Sequence, residues 1–154
     1  THIKHLIFLT AFSPQDGKSL VEMRSMVNQY PLTSVIKKTE DGLGFYVPRE
    51  YQKDIFYHDC SEKDIISAAE KLCIQAIKPQ NTPIRLGVNF KQVSKSYISC
   101  LDDQTIPIEL QKKMSRDIPK ENKYEINSGH SPFFSKPVDL ANILEEIASK
   151  IYDH

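Results

Sequence analysis

Two aspartates and one histidine stand at the ends of strand-like runs in the second half of the chain. Asp102 and Asp103 close the run Ser96-Tyr97-Ile98-Ser99-Cys100-Leu101, and His130 follows Tyr124-Glu125-Ile126 by way of Asn127-Ser128-Gly129. A carboxylate beside an imidazole is the orienting half of an acid–base pair. The carboxylate accepts the Nδ1 proton, fixes the tautomer and stabilises the imidazolium that forms when Nε2 takes a proton from a nucleophile. The bland alternative for His130 is a loop histidine that hydrogen-bonds its own backbone. The choice depends on whether the carrying elements bring these residues to one edge.

Those elements form a βαβα rhythm. The run 96–101 is a strand, Pro107 to about Arg116 a helix with Leu110 and Met114 on one face, and 124–126 a second strand. Pro137 to Ile151 is an amphipathic helix through Leu140, Ile143, Leu144 and Ile147. Strands joined by a helix lie parallel with both carboxyl ends on one sheet edge, where α/β folds open their binding crevice. Gly129 is expected to let the backbone turn sharply ahead of His130.

Upstream, His5-Leu6-Ile7-Phe8-Leu9-Thr10-Ala11-Phe12 is nearly all apolar and reads as a strand buried on both faces, followed by weak helical spacing through Leu20, Met23 and Val27. The polar stretch from Pro31 to Pro48, with Gly42 and Gly44, suggests a short hairpin. Ser61 is a good N-cap with an acid three residues on, and Ile65, Ala69, Leu72 and Ala76 continue at helical spacing to a stop at Pro79. The chain thus divides into core strand and helix (1–30), a cap insertion (31–80) and a C-terminal core (81–154). The expected fold class is α/β, a parallel sheet flanked by helices with a small cap.

With 154 residues one domain is expected, and 20 Lys+Arg against 20 Asp+Glu leave no electrostatic footprint for nucleic acid or an anionic membrane. No apolar run approaches the roughly 20 residues of a membrane span. The expected partner is a small molecule, and a homodimer is left open. Cys60, Cys73 and Cys100 are odd in number and widely spaced, which fits a reduced compartment and a cytoplasmic location. No cofactor is expected.

Four segments in order resemble the C-terminal half of an α/β-hydrolase, of the plant methylesterase and hydroxynitrile lyase group and its bacterial esterase-like relatives. They are residues 5–17, Phe56-Tyr57-His58-Asp59-Cys60-Ser61, residues 96–107, and Gly129-His130-Ser131-Pro132-Phe133-Phe134-Ser135-Lys136-Pro137. In open-sheet hydrolases the order along the chain is Ser, Asp, His. The resemblance implies that His130 is the catalytic histidine and Asp103 the triad acid, with Asp102 its competitor if the turn slips by one residue. It also implies a serine hydrolase of a small carboxylic ester. Lyases of the group carry lysine directly after the histidine, where this chain has Ser131. The nucleophile's G-x-S-x-G elbow is absent: glycines 17, 42, 44, 87 and 129 build no such motif. The elbow and oxyanion loop are therefore expected upstream, in an N-terminal half of the same protein. The contrasting reading is a non-catalytic, hydrolase-like binding module.

Phe12, Phe45, Tyr57 and Phe133 are candidates to line an apolar acyl or alcohol pocket, ordinary core being the alternative. Cys100 reads as a buried structural cysteine. His58-Asp59-Cys60 has metal-capable side chains, but adjacent residues rarely point at one ion and no metal site is expected. His2 and His5 look incidental.

Overall fold

A computed structural model describes residues 3–152. The first strand, β1 (His5–Leu9), leads to α1 (Leu20–Arg24). A capping box starts that helix: the Ser19 hydroxyl accepts from the Glu22 amide, and the Glu22 carboxylate accepts from the Ser19 amide at 2.7 Å. The chain then makes α2 (Leu32–Val35), β2 (Lys37–Lys38), β3 (Gly44–Tyr46), α3 (Arg49–Phe56), α4 (Glu62–Ala69), β4 (Gln75–Ala76), α5 (Ile77–Asn81) and α6 (Val88–Gln92). It returns through β5 (Ser94–Cys100), α7 (Ile108–Met114), a 3-10 turn at Lys120–Asn122, β6 (Lys123–Ile126), α8 (Pro132–Ser135) and α9 (Pro137–Tyr152).

The main sheet has the order β1-β5-β6, all parallel, with Leu9 opposite Ile98 and Cys100 opposite Ile126. The alternation of β5 splits the core into two layers. Tyr97 faces Met23, Ile106, Leu110, Met114 and Ile118, whereas Ile98 and Cys100 face Ile126 and the Leu140 and Ile147 stripe of α9. Gln111 locks the carboxyl end of β5 to α7. Fully buried, it accepts from the Cys100 amide and donates to the Cys100 and Ile106 carbonyls at 3.0 and 2.7 Å, which fixes the turn carrying the two aspartates. The intervening segment makes a second sheet, β2-β3-β4, antiparallel, with its own cluster of Leu32, Val47 and Ile55.

Three expectations change. The first strand ends at Leu9 rather than Phe12, because Thr10 adopts φ 34° while its amide still reaches the Ile98 carbonyl at 2.9 Å. A β-branched residue in the left-handed region costs roughly 1–3 kcal/mol and needs support from its surroundings. Nor is β1 buried on both faces. Its residues are half-buried and Ile7 is 39% exposed; β5 pairs with one of its edges, and no strand pairs with the other among the described residues. Finally, the helix capped by Ser61, whose hydroxyl accepts from the Asp64 amide at 3.2 Å, stops at Ala69. Gln75 and Ala76 are drawn off into pairing with Phe45 and Gly44, so cross-strand hydrogen bonds prevail over the helical spacing that runs on to Ala76.

Candidate active site

The shared sheet edge brings one of the two aspartates to the histidine. With Asp103 as carboxylate, His130 Nδ1 donates to Asp103 Oδ2 at 2.8 Å. Asp102, one residue earlier, turns outward to His58 Nε2 at 3.1 Å and is 63% exposed. An Asx-type turn makes the difference: Asp103 Oδ1 accepts from the amides of Thr105 at 2.6 Å and Ile106 at 2.9 Å, which draws its side chain inward until it is wholly buried. The Thr10 hydroxyl donates to Oδ2, the same oxygen that receives the histidine. The strained residue at the end of β1 is therefore part of the site's support, a role no sequence pattern announced.

These four donors satisfy a carboxylate that burial would otherwise make costly. They leave His130 oriented by one nitrogen, and Nε2 has no hydrogen-bond partner among the described residues. Phe56 lies against the imidazole with ring centroids 5.9 Å apart. Tyr97 ties β5 to the turn after β1: its hydroxyl donates to the Ala11 carbonyl at 2.9 Å, and burial, then the nearby Asp103 charge, push its ionisation far upward, so it stays a neutral donor.

The loop before His130 is held by the segment after α3. Asp59 Oδ2 accepts from the Gly129 amide at 2.7 Å. Burial works against the Asp59 charge, but the Gly129 amide, then the Ser135 hydroxyl and His58, outweigh it and keep the carboxyl below its ordinary range. Gly129 does not adopt the positive φ that a sharp turn would use. It is needed for closeness instead, since a Cβ there would lie 2.6 Å from His58 Cε1 and 2.7 Å from Asp59 Oδ1. Gly129→Ala is therefore expected to loosen the Asp59 clamp, lower stability by about 1–3 kcal/mol and reduce any activity that depends on His130. Urea unfolding of the variant checks the first effect. An unchanged midpoint would show that the loop yields freely.

His130 lines a cavity of about 520 Å³ whose wall also includes Phe12, Phe45, Phe56, Thr105 and Ile106. Two of the four aromatic candidates, Phe12 and Phe45, are thus placed on it, and two are not. Tyr57 is buried and packs against Phe56 and Phe134, and Phe133 is 52% exposed, edge-on to Phe134 outside the cavity. The lining aromatic from this segment is Phe56. The signal for it was available in the sequence: Gln52 and Phe56 are four apart on α3, and both face the cavity.

Cys73 is on the cavity wall with His130, whereas Cys60 and Cys100 are not and have no thiolate character. Burial pushes both Cys100, within β5, and Cys60, beside Asp59, up to about 11. His5 lies at the amino end of the strands, hydrogen-bonded to the Ser96 hydroxyl at 2.8 Å, and burial followed by Lys95 holds its pKa below the ordinary value. His2 is outside the described residues.

No family model matches the chain. In sequence it is similar to Methylesterase 7 of Arabidopsis thaliana, with 39% identity over 62 residues that cover 40% of this chain and 24% of that protein. It is also similar to Methylesterase 17 of the same plant (30% over 108 residues; 66% and 39%). A pyrethroid hydrolase of Sphingobium wenxiniae is 25% identical over 118 residues (74% and 42%). The chain therefore spans less than half the length of these curated relatives. Among solved structures, the pyrethroid hydrolase of Sphingobium faniae JZ-2 superposes with a TM-score of 0.80 at 22% identity, covering 98% of this chain and 63% of that one. Polyneuridine aldehyde esterase gives 0.75 at 17% identity, covering 95% and 62%.

Proposed function

We propose that this chain, whose fold is that of the α/β-hydrolases, is the acid- and histidine-bearing part of a serine hydrolase acting on small carboxylic esters. The nucleophilic serine is supplied by residues upstream of this stretch. The observation that carries the reading is the His130–Asp103 pair: 2.8 Å, with the carboxylate fully buried under three further donors and the imidazole on the wall of a largely apolar cavity.

In this reading His130 Nε2 takes the serine proton as the hydroxyl oxygen bonds to the ester carbonyl carbon. It then returns that proton to the departing alkoxide, leaving an acyl-enzyme and a free alcohol. Water enters, gives its proton to the same nitrogen and displaces the acyl group as a carboxylic acid, restoring the serine. Asp103 keeps the Nδ1 tautomer and stabilises the imidazolium in both halves without taking the proton itself. Phe12, Phe45 and Phe56 hold the apolar part of the ester, and the segment 31–80 acts as the cap above them. These proposals rest on the geometry above and on the similarity to methylesterases and a pyrethroid hydrolase.

The direct test is to treat the full-length protein with a serine-directed fluorophosphonate and locate the label by mass spectrometry. Labelling of one serine upstream of Thr1, together with hydrolysis of p-nitrophenyl butyrate, is expected. Failure of a folded full-length protein to label or turn over would overturn the reading.

A further inference from the structure

The cavity beside His130 is mainly apolar, and Arg24 is the one residue with a permanent charge among those lining it. It is the last residue of α1, and Leu20, one turn earlier, lines the same wall. The guanidinium is held in place: Nη2 donates to Gln80 Oε1 at 2.5 Å, Gln80 donates in turn to Gln75 Oε1 at 2.8 Å, and the guanidinium carbon lies 5.1 Å from the Tyr30 ring centroid. Tyr30 gives it no counter-charge, because burial pushes the phenol up to about 12, with Arg24 only partly opposing the rise. No carboxylate pairs with Arg24 among the described residues, and its Nε is buried without a hydrogen-bond partner.

A buried, unpaired donor on a charged group is expensive, and a fixed guanidinium with no anion has the geometry to receive one. We propose that Arg24 is a specificity residue, selecting esters whose remote end, beyond an apolar spacer, carries a free carboxylate. The apolar wall takes the spacer, His130 meets the ester, and the Arg24 fork meets the carboxylate. The inference rests on the esterase reading for the identity of the reacting group, but not for the presence of the anion subsite.

The test uses the full-length protein and matched pairs: monomethyl adipate against methyl hexanoate, and monomethyl suberate against methyl octanoate. A kcat/KM preference of roughly 10- to 100-fold for the half-ester is expected in at least one pair. Arg24→Leu should collapse that ratio to near one, with Arg24→Lys retaining part of it. To keep the two readings separable, hexanoate and 1-hexanol are also titrated calorimetrically, which needs no chemistry. Tighter binding of hexanoate than of the neutral alcohol that is lost in Arg24→Leu supports the subsite even if no ester is turned over. Ratios near one in both ester pairs, equal binding of hexanoate and 1-hexanol, or a preference untouched by Arg24→Leu would overturn it.

Discussion

In the full-length protein, His130→Ala is expected to lower ester turnover by about 10⁴-fold or more while leaving the unfolding midpoint close to wild type. In the proposed mechanism the base acts only in the chemical step, and residual rate would come from binding and the oxyanion site. Asp103→Asn should cost about 10⁴-fold as well. An asparagine offers Nδ1 either the wrong partner or the wrong tautomer, and it also faces the Thr105 and Ile106 amides with half the acceptor capacity. Asp102→Asn is the control. That carboxylate is 63% exposed and touches His58 rather than His130, so the change should remain within about twofold of wild type, as is usual for exposed pairs. Steady-state kinetics on p-nitrophenyl butyrate with the three variants decides the matter. Equal losses at the two aspartates would mean that the outward pair with His58 also bears on the chemistry.

The contrast between these neighbours shows what the sequence could and could not convey. The order of strands and helices, their parallel pairing and the edge they share were legible from apolar runs, caps and prolines, because each signal is local. Which aspartate points inward was indicated only by the family resemblance and not by local pattern, since it depends on two backbone amides captured by Asp103 Oδ1 and on the Thr10 hydroxyl, which is 93 positions away in the chain. A positive φ at a threonine has no sequence signature at all. Gly129 was legible as a special position but for the wrong reason: the constraint is the proximity of His58 and Asp59 rather than its own dihedrals. The cavity wall was half legible. Phe12 and Phe45 line it, but Tyr57 gives way to Phe56, which packs with the Leu32, Val47 and Ile55 cluster and shares the cavity wall with Leu32 and Val47, while Tyr57 is buried against Phe134. Arg24 escaped notice because a single arginine at a helix end ordinarily complements the helix dipole. Only the enclosing cavity makes it unusual.

A protein consisting of these 154 residues alone is expected to show no esterase activity and no labelling by a fluorophosphonate. Two independent features lead there. No G-x-S-x-G elbow occurs among the residues, and no hydroxyl or thiol among the described residues is hydrogen-bonded to His130 Nε2, so the base has nothing to activate. The proposed division of the fold also bears on the sheet. β1 is apolar from Leu6 to Leu9, yet Ile7 is 39% exposed and one strand edge carries no pairing among the described residues. Exposed backbone donors and acceptors next to apolar side chains form a template for intermolecular pairing, which soluble proteins avoid by covering or charging the edge. The isolated piece should therefore elute as aggregates in size-exclusion chromatography. Supplying the upstream stretch as a second polypeptide should shift it to a defined complex and restore labelling, on the upstream partner. Stoichiometric labelling of any residue between Thr1 and His154 would overturn this division of the triad. A monodisperse, stable isolated piece would show that the open edge of β1 is covered by some other means.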